Sequence, residues 1–90
     1  MKKGLVLKIY GEVQGVFFRA FVKERADELG LLGWVQNAAD RTVQILAEGE
    51  EENLKKLISY CKEGPRFAKI NNVEIKWAEA SGEFGGFMIR

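Results

Sequence analysis

The spacing of apolar residues changes period repeatedly along this chain, and the order of those changes limits the folds open to it. Leu5, Leu7 and Ile9 alternate with Val6, Lys8 and Tyr10, the mark of a strand with one face on a core. From Phe18 to Leu29 the apolar residues Phe18, Phe21, Val22, Ala26 and Leu29 recur at helical spacing, with Lys23, Glu24, Arg25, Asp27 and Glu28 between them. Gly30 then reads as a left-handed cap. Leu31 to Asn37 forms a second strand with Trp34 and Val35 on opposite faces, and Val43, Ile45 and Ala47 share one face of a third strand from Thr42 to about Glu48. The polar run Asn37-Ala38-Ala39-Asp40-Arg41 joins these two as a hairpin. Gly49 closes the third strand, and Glu50, Glu51 and Glu52 open a second helix, where acidic residues suit the macrodipole. Leu54, Leu57, Ile58 and Cys61 make its apolar stripe, while Glu51 with Lys55 and Glu52 with Lys56 are spaced to support its outer side by about 0.2–0.5 kcal/mol per pair. Gly64-Pro65 ends that helix, Arg66 to Asn71 reads as a connecting loop, and Val73, Ile75 and Trp77 alternate in a fourth strand. After a bend through Ser81, Gly82, Gly85 and Gly86, Phe87 and Ile89 share a face of a short last strand.

Strand, helix, strand, strand, helix, strand is the order of a ferredoxin-like α+β sandwich, βαββαβ, with two helices on one face of an antiparallel sheet. Here a short extra C-terminal strand follows. Ninety residues suit a single domain, 1–90, with a real core and no room for a second.

Charge and cysteine usage narrow the partners. Lys+Arg 14 against Asp+Glu 13 is no footprint for nucleic acid or a membrane surface, because a polyanion binder carries a clear basic excess. A small anion needs only a local cradle and remains compatible. The chain has no histidine, which removes the usual general base and the commonest metal ligand together. One cysteine, Cys61, allows no internal disulfide and suits a reducing compartment. With no targeting pattern or long apolar run, the expectation is a soluble cytoplasmic protein.

Ile9-Tyr10-Gly11-Glu12-Val13-Gln14-Gly15-Val16-Phe17-Phe18-Arg19 is the stretch with the chemistry of an anion cradle. Gly11 and Gly15 supply backbone freedom between an apolar strand and a helix, so several peptide N–H groups can turn toward one point. A helix N-terminus adds unsatisfied donors and a partial positive charge. Arg19, in the first turn, can lean back over the loop with the planar fork of donors that fits a phosphate or carboxylate. The spacing fits neither a Walker-type loop nor a dinucleotide fingerprint. Elsewhere, Cys61-Lys62-Glu63-Gly64-Pro65-Arg66 invites comparison with the Cys-x5-Arg loop of cysteine phosphatases, yet it is one residue short and Cys61 continues a buried stripe, the place of an inert thiol.

These residues resemble a known family, the acylphosphatases. Gly11-Glu12-Val13-Gln14-Gly15-Val16-Phe17-Phe18-Arg19 matches its G-x-V-Q-G-V-x-F-R signature, and Gly33-Trp34-Val35-Gln36-Asn37 matches a second, with Val43 and Gly49 at the family's spacing. The resemblance covers essentially all ninety residues. It implies hydrolysis of acyl phosphates to a carboxylate and inorganic phosphate without a metal or cofactor, and the expectation is a monomer. It also implies that Arg19 binds the phosphoryl group with the backbone N–H groups of Gly15, Val16, Phe17 and Phe18, and that Asn37 orients the attacking water. One departure is Arg41, where the family usually carries glycine, and Asp40 is the residue expected to take the left-handed conformation in its place. Glu12 is expected to face solvent. The carboxylate after Arg90 approaches the cradle only if the last strand runs beside it. The rival reading is a catalytically silent phosphate-binding or regulatory module of the same fold. RNA recognition lacks its aromatic strand pattern.

Overall fold

A computed structural model describes residues 1–90. Its elements are β1 (Lys2–Glu12), α1 (Phe18–Glu28), β2 (Leu32–Asn37), β3 (Val43–Glu50), α2 (Glu51–Glu63), β4 (Lys69–Ala78) and β5 (Phe87–Ile89). The strands lie in the order β4-β1-β3-β2-β5. The first four pair antiparallel, as the ferredoxin-like order requires, but β5 runs parallel to β2, so the sheet is mixed rather than antiparallel. The reason is topological. β4 occupies one edge of the sheet, and the chain must cross to the opposite edge before β5 can pair.

The alternation read from sequence decides which face is dry. Leu5, Leu7 and Ile9 of β1, Val35 of β2, and Val43, Ile45 and Ala47 of β3 are fully buried against Phe18, Val22 and Ala26 of α1 and Leu54, Leu57, Ile58 and Cys61 of α2. Burial pushes the Cys61 thiol up to about 12, far from the thiolate a nucleophile needs. Gly30 adopts its left-handed conformation past α1, with φ 67°. Of the two outward pairs on α2, Glu51 and Lys55 meet at 3.1 Å, and Glu51 also reaches Lys3 at 3.0 Å. Glu52 and Lys56 form no such bridge.

Two boundaries differ from the sequence reading. β3 continues through Gly49 to Glu50, because Lys2 and Lys3 of β1 are there to pair with it. β4 begins at Lys69, inside the segment read as a loop, since Lys69 and Ile70 pair with Glu12 and Gly11 beyond a shift of register at Tyr10/Gly11. Ile70 and Val73 both pack against the core but lie three residues apart, because Asn71 is the extra residue at that shift, so this part carried no period-two pattern. Ile75 and Trp77 lie at the exposed margin, at 40% and 41% accessibility, which takes Trp77 out of the core.

The bulge also reassigns a glycine. Gly11 belongs to β1 rather than to the following loop, with φ 136°, and a Cβ there would collide with the main-chain oxygen of Lys69. Of these two, only Gly15 lies in the loop, and a Cβ there would meet nothing within 4 Å.

Glu48, buried on β3, fixes the crossing to β5. Its carboxylate accepts from the N–H groups of Ser81 at 2.8 Å and Gly82 at 3.0 Å. Desolvation pushes its pKa upward, but these hydrogen bonds outweigh it and hold the group below the usual carboxylate range.

The two glycines should therefore respond differently to one methyl group. Gly11→Ala is expected to lose about 2–3 kcal/mol of unfolding free energy, through backbone collision and strain together. Gly15→Ala should lose only about 1–2 kcal/mol, the cost of a left-handed alanine. Urea unfolding of both variants measures the difference, and equal losses would place Gly11 back in the loop.

Candidate active site

Residues 13–17 leave β1 and enter α1. Gly15 has φ 73° and Phe17 has φ 64° and ψ 19°, both left-handed, whereas Val16 between them does not have positive φ. Alternating handedness turns successive peptide N–H groups toward a common concavity. Those of Gly15, Val16, Phe17 and Phe18 donate to no other group in the protein. Phe17 is also the N-cap of α1, with no side-chain hydrogen bond to the helix start, so the helix's own first donors stay open. Holding Phe17 left-handed costs about 1–2 kcal/mol.

Arg19, the second residue of α1, borders the same concavity. Gly15, Phe17, Phe18, Arg19, Asn37 and Ile89 are among the residues lining a cavity of about 280 Å³. Gly15, Phe17, Phe18 and Arg19 of one continuous segment are thus brought together with Asn37 at the end of β2 and Ile89 of β5. Asn37 is exposed at the end of β2 and its side-chain amide is unpaired. Arg19 is steadied from the far edge of the sheet. Its Nη1 donates to the main-chain oxygen of Arg90 at 3.1 Å, and the Arg90 N–H in turn donates to the Val35 carbonyl at 2.8 Å. The last strand does run beside the cradle. Glu12 is exposed and does not line this cavity.

Gln14 is a site residue that sequence reasoning passed over. Its Nε2 donates to the carbonyls of Ala38 and Thr42, each at 2.9 Å, and so ties the cradle loop to the hairpin that carries Asn37. The only available signal was its place inside the matched segment, since both partners are backbone atoms more than twenty residues away.

The hairpin turn closes in a way the sequence reading did not anticipate. Arg41 itself, not Asp40, is left-handed, with φ 71°. Asp40 cannot be spared for that role because its side chain is fully engaged. One oxygen accepts from the Thr42 hydroxyl and, at 3.1 Å, from the Thr42 N–H, while the other lies 3.0 Å from Lys8 Nζ. The hydrogen bond from Thr42, with those from Lys8 and the Thr42 backbone, holds the Asp40 carboxyl down at about 2.

Comparison with known proteins decides the family. The acylphosphatase family model matches residues 5–89. The chain belongs to the acylphosphatase family. Relatives named acylphosphatase include one from Caldanaerobacter subterraneus, 44% identical over 89 residues and covering 99% of each chain. Another, from Pelotomaculum thermopropionicum, is 42% identical over 81 residues, 90% of this chain and 88% of its own. The crystal structure of acylphosphatase from Bacillus subtilis superposes with a TM-score of 0.94 at 36% identity, covering 100% of this chain and 99% of that one. The protein is accordingly an enzyme, and its reaction is the hydrolysis of acyl phosphates.

Two consequences for the turn can be measured. Asp40 has a folded value of about 2 against an ordinary 3.8, so its contribution to stability is present above about pH 4 and is lost as pH falls toward 2. Asp40→Asn should flatten the stability profile in that window, as read by unfolding midpoints between pH 2 and 5. Arg41→Gly should raise stability by about 0.5–1 kcal/mol, the left-handed penalty removed less the backbone entropy that glycine adds to the unfolded chain. Thermal unfolding at neutral pH checks it.

Proposed function

We propose that Arg19 and the backbone N–H groups of Gly15, Val16, Phe17 and Phe18 hold the phosphoryl group of the substrate, and that Asn37 orients the attacking water. The observation that carries this reading is the convergence of Arg19 and Asn37 on one cavity also lined by Gly15, Phe17 and Phe18, whose peptide N–H groups, like that of Val16, have no partner in the chain. A guanidinium fork and peptide donors suit the equatorial oxygens of a phosphoryl group, whose charge spreads as the reaction proceeds. The Asn37 amide can accept from water and donate to a phosphate oxygen. Water attacks phosphorus, the bond from phosphorus to the acyl oxygen breaks, and the carboxylate departs with that electron pair. The water's proton passes to a phosphate oxygen of the substrate itself. A mixed anhydride leaves readily, so positioning and charge neutralisation are enough, and no strong base is required.

The same reading needs no metal or cofactor. The chain has no histidine, and no three of its cysteine, aspartate and glutamate side chains converge into a ligand set. We also propose that residues 1–90 act as one domain, monomeric and cytoplasmic, binding acyl phosphate and inorganic phosphate but not nucleic acid or membrane. The near-neutral charge balance supports this, as does the alternation of Glu74 and Lys76 on the edge strand β4, which opposes strand addition. No helix is long and apolar enough to cross a membrane.

Hydrolysis of benzoyl phosphate by metal-free protein tests the roles. Asn37→Ala should lose about 10²-fold or more in kcat while inorganic phosphate still inhibits it, the size of effect seen when one key donor is removed. Arg19→Ala should lose both turnover and phosphate inhibition. Unchanged turnover in Asn37→Ala would sink the water-orienting role. Phosphate binding without hydrolysis by the wild type would favour the silent module.

A further inference from the structure

We infer that Phe17 and Ile89 form a subsite for the acyl group and tune this enzyme toward acyl phosphates whose acyl portion is uncharged and apolar, aryl or bulky alkyl. The inference rests on the phosphate cradle proposed above and adds a substrate class to it. It begins with an expense that folding does not explain. Phe17 occupies a left-handed conformation that suits glycine, as Gly15 shows two residues earlier in the same loop. Its ring is 78% exposed, it is not among the side chains packed on the core, and it stacks on no other aromatic or cation. A large aromatic side chain held in a strained backbone conformation and left in solvent points to a use outside the fold.

Its location supplies the use. Phe17 lines the cavity where Arg19 and Asn37 meet, and so does Ile89, itself 43% exposed. Arg19 is the only charged residue in that lining, and Val13, Phe17, Phe18, Ala20 and Ile89 are apolar. An acyl phosphate has two unlike ends. Once the phosphoryl end engages the peptide donors and Arg19, the acyl end has only apolar lining left to meet. Arg41, the cation of the adjoining hairpin turn, lines a separate groove with Glu12 and Gln14, and the Arg90 guanidinium lies over the Trp34 ring. A carboxylate-bearing acyl chain would therefore lose water without gaining a counter-charge, while an aryl group would gain contact with the Phe17 ring.

The test is the ratio of kcat/KM for benzoyl phosphate to that for acetyl phosphate. In the wild type the ratio should stand well above one. Phe17→Gly, which suits the left-handed backbone and so folds, should lower that ratio about 10-fold, in line with the discrimination a single apolar contact provides. Phe17→Leu should restore most of it. Competitive inhibition reports binding apart from turnover. Phenylphosphonate should outcompete methylphosphonate on the wild type, and Phe17→Gly should narrow that gap. Equal losses on both substrates would mean that Phe17 serves only the cradle backbone, and an unchanged ratio would mean that its ring touches nothing on the substrate; either overturns the subsite. If the wild type hydrolyses neither substrate and does not bind inorganic phosphate, the cradle reading fails along with the subsite, an outcome distinct from an active enzyme with an unaltered ratio.

Discussion

Everything at the site depends on β1 being paired along both of its edges. It lies between β3 and β4, and Leu5, Leu7 and Ile9 on its inner face are fully buried. Ile9 pairs with Val43, and Val43 pairs with Asn37 on its other side. One cross-sheet row therefore connects Ile9, three residues before β1 ends and the cradle loop departs, with the residue proposed to steer water. The span between them is two strand spacings, roughly 10 Å, set by backbone hydrogen bonds rather than by any contact between the side chains. A one-residue slip would turn the buried set of a strand outward, so the hydrophobic core enforces the same register that locates the site.

Backbone register brings the cradle and the hairpin to one end of the sheet, and side chains then remove the remaining freedom. Gln14 bridges to the two carbonyls that flank the turn, and Asp40 holds the turn from inside while Lys8 of β1 holds Asp40. Arg19 is held from the other edge through Arg90. That support requires β5, which in turn requires the crossing segment that Glu48 anchors. Glu48 lies far along β3 from Asn37, so a buried carboxylate at one end of a strand contributes to the placement of a guanidinium at the other.

What the sequence could and could not reveal follows the same division between local and distant causes. Periodicity marks a buried face directly, which is why Leu5, Leu7 and Ile9, the stripe from Leu54 to Cys61, and the helix caps were legible. The start of β4 was not, because the bulge opposite Tyr10 and Gly11 inserts Asn71 and breaks the alternation between Ile70 and Val73. Gly11 looked like a loop glycine because a bulge and a turn ask for the same residue, and only the proximity of Lys69 separates them. The motif named residues that line one cavity, among them Arg19 and Asn37, yet it did not show what holds them in place. Gln14, Glu48 and Arg90 act on or through backbone atoms of distant segments, and no spacing rule encodes such a partner. Arg41 follows from the same limit: Asp40 is the better left-handed residue in isolation, but its carboxylate is committed to Thr42 and Lys8, so the strain passes to its neighbour.

Only two residues other than glycine adopt positive φ, Phe17 and Arg41, and both border the concavities at this end of the sheet. At about 1–2 kcal/mol each they take a noticeable share of a net stability of about 5–15 kcal/mol. Such strain persists only where the surroundings leave the backbone no alternative. For Phe17 the constraint is visible on both sides, since Val13 is buried before the loop and Phe18 after it. Between two anchored side chains the chain must reverse the sense of its peptides to turn their N–H groups inward, and that requires left-handed residues in that short span. Glycine meets the need once, at Gly15. At the second position the requirement falls on Phe17, the one residue in the cradle whose ring is left in solvent at the cavity mouth.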